Sequence, residues 1–161
     1  MRSFTATLLV IAAAVAGVIA ESHTVSFTNH CGYGTPTLIQ GGNVLSTGHA
    51  YTSNGPLGAA IAYLQTGRCG FNGEGCTMVE LSLYNPDTNH GMISSADVTL
   101  IPPHAFSVTS GFGFYNGCDG VGNDCTSASC CPNGAFCKPT DYQSQRQCNV
   151  DNVDLAVTFC D

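Results

Sequence analysis

Apolar side chains recur at every second position along most of the chain, the period of strands rather than of helices. His23-Thr24-Val25-Ser26-Phe27-Thr28 alternates and is rich in β-formers. Leu38-Ile39 and Val44-Leu45 flank Gln40-Gly41-Gly42-Asn43, a glycine-rich hairpin signal. The apolar run from Gly58 to Leu64 predicts a buried strand. Met78 to Tyr84 alternates, with Val79, Leu81 and Leu83 on one side, and Ala96 to Ile101 does the same before Pro102-Pro103 ends it. Phe106-Ser107-Val108, Gly111 to Phe114 and Leu155 to Phe159 complete the set. No window carries a convincing amphipathic helix. Many short strands separated by Gly, Asn and Pro turns predict an all-β sandwich. The stretch Gly117–Asn152 differs: it holds most of the cysteines and few aliphatics, so a small disulfide-stapled lobe is expected there.

Residues 1–20 read as a secretory signal peptide. Arg2 supplies the positive start, Leu8 to Ala20 is uncharged and apolar, and Val18-Ile19-Ala20 is a small-residue cleavage site before Glu21. That run is shorter than the ~20 residues a membrane-spanning helix needs. A secreted, extracellular mature chain over 21–161, folded as one domain, is expected. Losing Arg2 takes its formal charge from −7 to −8. Only 9% of the chain is charged, with 4 Lys or Arg against 11 Asp or Glu. So few cations cannot neutralise a row of phosphates, which argues against nucleic acid. The acidic balance argues against anionic membranes. All 10 cysteines follow the leader, and an even number in a secreted chain predicts disulfides throughout. The C-x2-C pairs of zinc sites are missing, so no metal or other cofactor is expected.

Several segments resemble one family in the correct order. Val25-Ser26-Phe27-Thr28-Asn29-His30-Cys31 resembles the F-x-N-x-C opening strand of thaumatin-like proteins, and Val157-Thr158-Phe159-Cys160 their closing V-x-F-C strand. Gly67 to Cys76 resembles a shortened version of the family's G-R-x-x-C segment. Val79 to Asn85 and Ala96 to Ile101 resemble two of its strands. Cys130-Cys131 through Cys137-Lys138-Pro139-Thr140-Asp141-Tyr142 to Cys148 resembles its C-C-x-G-x-C-x-P-T-x-Y piece. Full-length members are longer and carry more cysteines, so the loop-rich second domain must be trimmed here. The resemblance implies a thaumatin-like β-sandwich, Glu21–Asn116 plus the last strand, with a lobe over 117–152. It implies the pairs Cys31–Cys160, Cys69–Cys76, Cys125–Cys148 and Cys131–Cys137, and leaves Cys118–Cys130 to pair with each other.

The family often carries an acidic cleft, and Arg68, Glu80 and Asp97 occupy matching positions. The second cleft Asp would fall near Pro103-His104 and is missing, while Asp151 or Asp154 could replace a third. Glu80 and Asp97 stand on strands whose other face is apolar, so both should point to one solvated side. Such a pair can hydrolyse a glycosidic bond at separations of ~5–5.5 Å (retaining) or ~6.5–9.5 Å (inverting). Arg68 beside them would hold both acids ionised, which works against a general acid and favours sugar binding. A plain Glu80–Arg68 ion pair supporting the sheet is the alternative. The resemblance thus implies a monomer that binds cell-wall β-1,3-glucan, in antifungal defence or wall remodelling. A weak endo-β-1,3-glucanase using Glu80 and Asp97, or an inhibitor of secreted hydrolases acting through a disulfide-stiffened loop, remain open.

Other constellations are weaker. Tyr33, Tyr51, Tyr63, Tyr84, Tyr115 and Tyr142 could stack on sugars, but Trp is absent. Cleavage after Ser22 would make His23 the amino terminus, which resembles the histidine brace of copper polysaccharide mono-oxygenases. The plain reading of His23, His30, His49, His90 and His104 is five exposed edge or turn residues. Asp119 to Asp124 lacks the twelfth-position Glu of a calcium loop.

Overall fold

A computed structural model describes residues 20–161, so the expected leader lies, apart from Ala20, outside the described residues. The strands are β1 (His23–Asn29), β2 (Thr35–Gln40), β3 (Asn43–Ser46), β4 (Tyr51–Ser53), β5 (Leu57–Gln65), β6 (Met78–Leu83), β7 (Ser94–Thr99), β8 (Ser110–Tyr115), β9 (Gly122–Cys125), β10 (Arg146–Cys148) and β11 (Asp154–Phe159). The only helical element among the described residues is a 3₁₀ turn at Tyr142–Ser144. Two sheets form, β4-β1-β11-β8-β9 and β10-β7-β6-β5-β2-β3. None of the described helical structure is long and apolar enough to cross a membrane.

The alternation dictates what lies between the sheets. Leu155, Val157 and Phe159 of β11 join Val25, Phe112 and Phe114 on one side. Leu38, Leu64, Val79, Leu81, Leu83, Ala96 and Val98 meet them from the other. β1 and β11 run parallel from Val25↔Leu155 to Asn29↔Phe159. Just beyond them Cys31 and Cys160 are bonded, with Cα atoms 5.1 Å apart and a sequence separation of 129. First and last strands are therefore adjacent in space and covalently tied.

One strand changes phase. Leu57 pairs with Leu83, but the next core-facing partner of Leu81 is Ala60, so β5 holds one extra residue. This bulge puts Ala59 at φ 50°, and its N–H donates to Ser82 Oγ at 2.9 Å. Gly58 belongs here because a Cβ would overlap the Tyr84 hydroxyl. Leu57, Ala60, Ala62 and Leu64 thus all reach the core, while Ile61 and Tyr63 lie on the other face of the sheet, where Tyr63 is buried and its hydroxyl donates to Phe71 O.

The stretch 117–152 is less detached than the sequence predicts. It supplies β9 to one sheet and β10 to the other. Phe136 also bonds the edge of β7, donating to Val98 O and accepting from Leu100 N, both at 2.8 Å. The segment therefore covers exposed sheet edges. Phe106-Ser107-Val108 is not a strand. Thr77 captures it instead: Ser107 N donates to Thr77 Oγ1 at 2.8 Å, and that hydroxyl donates to Val108 O at 2.9 Å.

Five disulfides leave no free cysteine. Three join the pairs implied by the resemblance, Cys31–Cys160, Cys69–Cys76 and Cys131–Cys137. Two differ: Cys125 bonds Cys130 rather than Cys148, and Cys118 bonds Cys148 rather than Cys130. The strands explain both. β9 pairs with β8 and buries Cys125 where the chain turns back at Cys130. Cys148 sits on β10 at the rim of the six-stranded sheet, facing Cys118 just past β8 of the other sheet, so this bond staples sheet to sheet.

Candidate functional site

β6 and β7 pair antiparallel with Glu80 directly opposite Asp97. Both point away from the core, and opposite side chains on one face of a sheet have Cβ atoms only ~4.5–5.5 Å apart. An open cleft of about 300 Å³ lies over them. The β5 bulge forms one wall with Ala59, Ala60 and Ile61, and Gln145 closes the other, with Ser82 and Ser95 at the floor. Gln145 arrives there because β7 changes edge partners beside Asp97. β10 covers Ser94–Ala96 and Phe136 covers Val98–Leu100, so the turn before β10 folds over the gap.

Asp97 is therefore only 7% exposed, whereas Glu80 is open to solvent. Burial pushes the Asp97 carboxyl from 3.8 up to about 7. The charge of Glu80 and a hydrogen bond between the two carboxyl groups push the same way, and the Gln145 amide opposes them. Asp97 Oδ2 is the one buried side-chain oxygen among the described residues that lacks a hydrogen-bond donor. A proton on Asp97, donated to Glu80, resolves that deficit. A protonated Asp97 would present a hydroxyl donor beside the acceptor oxygens of Glu80. Glu80 and Asp97 are direct cross-strand neighbours on one face of the sheet, and hydrolytic carboxyl pairs need ~5 Å or more between them to admit the scissile bond or a water.

Arg68 does not join them. It lies exposed at a different hollow, with Tyr33, Thr66 and Phe106. The cause is the turn after β5, which the Gln65 side chain closes: its Oε1 accepts from Gly67 N (2.8 Å) and Cys69 N (3.3 Å), and its Nε2 donates to Cys69 O (3.1 Å). No Glu80–Arg68 ion pair exists among the described residues, where all three ion pairs involve histidine. Without a neighbouring guanidinium, Asp97 moves up rather than down.

The substitute acids are elsewhere too. Asp154 belongs to β11 of the opposite sheet, where it accepts from Thr24 N at 2.6 Å, and Asp151 is exposed in the preceding turn. His104 braces the Cys69–Cys76 loop through Gly73 O at 3.0 Å. His23 is not exposed. It shares the inward phase of Val25, and its ring reaches Val153 O at 2.7 Å and Glu21 Oε1 at 3.1 Å. The ring is fully buried, and no cluster of three or more His, Cys, Asp or Glu suited to a metal occurs among the described residues. Ser82 and Ser95 were readable from the same alternation as the acids, but Gln145 carried no sequence signal.

No family model and no curated protein matches the sequence. Solved structures do. A thaumatin-like xylanase inhibitor superposes with TM-score 0.53 and 20% identity, covering 86% of this chain and 99% of that one. The protein elicitor MoHrip2 from Magnaporthe oryzae gives TM-score 0.47 and 8% identity, covering 88% and 100%. Two packed sheets, first and last strands bonded through Cys31–Cys160, and the likeness to the inhibitor along nearly its whole length establish that this chain has the thaumatin-like fold.

Proposed function

We propose that the mature chain is a secreted, non-hydrolytic glycan-binding module whose Glu80–Asp97 cleft takes a neutral β-1,3-glucan segment of a cell wall. The observation that carries this reading is the cross-strand pairing of a buried acid, Asp97, with an exposed one, Glu80, in an open cleft. A shared proton suits hydroxyl recognition, and Ser82, Ser95 and Gln145 add further donors and acceptors around it. Closed disulfides suit an oxidising, extracellular setting, whether antifungal defence or wall remodelling. The test is sedimentation with insoluble β-1,3-glucan. The mature protein is expected in the pellet, Glu80→Gln and Asp97→Ala mostly in the supernatant, and reducing-sugar release no higher for the wild type than for Glu80→Gln. Wild-type protein staying soluble would sink the reading, and sugar release lost in Glu80→Gln would turn it into hydrolysis.

A second reading, inhibition of a secreted hydrolase, has its own support. The Cys69–Cys76 loop is held by Gly70 N→Glu74 O (2.9 Å), Gly75 N→Pro103 O (2.8 Å) and Tyr63 Oη→Phe71 O (2.8 Å). It leaves Phe71 53% exposed, a rigid aromatic contact of the kind that binds without an ordering cost. The xylanase inhibitor that this fold resembles makes xylanases the first enzymes to assay. Inhibition that Phe71→Ala removes, and Glu80→Gln does not, would establish it.

A further inference from the structure

The hollow at Arg68 is the larger of the two clefts described, about 470 Å³, within the range of small-ligand sites. Its chemistry is unlike that of the acidic cleft. Two aromatic rings flank it, Tyr33 (57% exposed) and half-buried Phe106, with the hydroxyls of Thr66 and Ser107 between them. Arg68 is its only charged lining residue.

The guanidinium is unusual in this molecule. After the leader the cations are Arg68, Lys138 and Arg146. Arg146 is engaged in structure, donating from Nε to Gly122 O at 3.1 Å and from Nη1 to Gln143 O and Gln145 O at 2.8 and 2.9 Å. Arg68 takes part in no side-chain hydrogen bond or ion pair among the described residues. The nearest acid along its loop, Glu74, is engaged elsewhere, accepting from Asn72 N at 2.9 Å and Asn72 Nδ2 at 3.1 Å. The backbone carrying Arg68 is nevertheless rigid, closed by Gln65 on one side and the Cys69–Cys76 bond on the other. An exposed guanidinium carried on a fixed backbone, with no partner among the described residues, beside Tyr33 and Phe106, suits a ligand with one carboxylate and an apolar ring face. Arginine binds carboxylates through two parallel N–H donors.

We propose that this hollow binds a carboxylate-bearing sugar, a hexuronate residue of a wall glycan. The pyranose C–H face lies on Tyr33 and Phe106, and the carboxylate lies on Arg68. The eight-charge acidic excess of the mature chain opposes a polyanion at long range, but the Debye length is only ~8 Å at physiological salt, so a single uronate within the hollow is governed by Arg68.

The probes are methyl glucuronide and its neutral counterpart methyl glucoside, which differ only in carboxylate against hydroxymethyl. Each is titrated into the isotopically labelled mature protein and followed by NMR. The expected result is that glucuronide shifts the Arg68 side-chain N–H and the amides of 66–69 and Tyr33, and binds at least tenfold more tightly than glucoside. Arg68→Gln is expected to erase that preference, and Tyr33→Ala to weaken both sugars while keeping it. Arg68 is exposed, so a well-dispersed Arg68→Gln spectrum certifies the fold. Equal binding of the two sugars, a preference that survives Arg68→Gln, or shifts confined to the Glu80 cleft would each overturn the proposal. So would N-acetylglutamate amide occupying the hollow more tightly than glucuronide, which would assign it to an acidic protein segment.

Discussion

Replacing Asp97 by Asn should make the protein more stable, and only above mildly acidic pH. The carboxyl titrates near 3.8 in an unfolded chain and at about 7 in the fold. Below 3.8 it carries a proton in both states and contributes nothing to the pH dependence. Between 3.8 and 7 the unfolded chain releases the proton while the folded chain retains it, so stability falls as pH rises. Above 7 the loss is complete. At about 1.36 kcal/mol per pH unit the gap is worth at most about 4 kcal/mol. Asn keeps the shape and can still donate to Glu80, but it carries no charge to bury. Asp97→Asn should therefore match the wild type at pH 4 and exceed it at pH 8 by as much as ~4 kcal/mol, or roughly 10 °C in Tm for a chain of this size. Glu80→Gln should recover only part of that, because burial, the largest cause, remains. The assay is guanidinium unfolding of the three proteins at half-unit steps from pH 4 to 8.5. Parallel pH profiles for wild type and Asp97→Asn, or a variant weaker at pH 8, would show that Asp97 ionises freely and that the acids share no proton.

Two further outcomes follow from the fold. On the chain-entropy account, opening Cys31–Cys160 by double Ser substitution should cost about 5 kcal/mol, because it releases a 129-residue loop, while opening Cys125–Cys130, with a separation of 5, should cost about 2 kcal/mol. Unfolding midpoints would measure both, and equal costs would contradict the account. Ala59→Gly should stabilise by ~0.5–1 kcal/mol in the same assay, since Ala59 is exposed and held at φ 50° by the bulge, a conformation that costs an L-residue roughly 1–2 kcal/mol. Destabilisation would mean that the bulge relaxes in solution.

The strands that were legible in the sequence are those with one buried face. Val79, Leu81 and Leu83 announce β6, and Leu155, Val157 and Phe159 announce β11, because a one-residue slip would move every apolar side chain into water. The same alternation put Glu80 and Asp97 on one face. β4, β9 and β10 were not legible: each has three or four residues, and tertiary pairing rather than pattern makes it a strand. The phase change at Ala59 was hidden because Gly58-Ala59-Ala60 has no side chain large enough to betray its direction. Arg68 was misplaced for a related reason. Its position in the motif was readable, but its direction depends on how Gln65 closes the turn, and that closure uses backbone groups which leave no pattern.

The cleft therefore owes its chemistry to two features that strand periodicity does not encode. The acids come from regular strands, and on a bare sheet both would be solvated and ionised. The bulge raises one wall, and the turn before β10 lays Gln145 over Asp97 as the other. That turn is held in place from outside the sheet. β10 ends at Cys148, which the bond to Cys118 anchors to the opposite sheet, and Ser144 N and Oγ donate to Asp141 O at 3.1 and 2.9 Å. The lobe thus works less as a separate module than as the lid that desolvates one carboxyl of a pair. On this argument the Cys118–Cys148 staple governs the protonation of Asp97 without touching it. Loosening the staple would let water reach Asp97 and draw its titration back toward the ordinary carboxylate range.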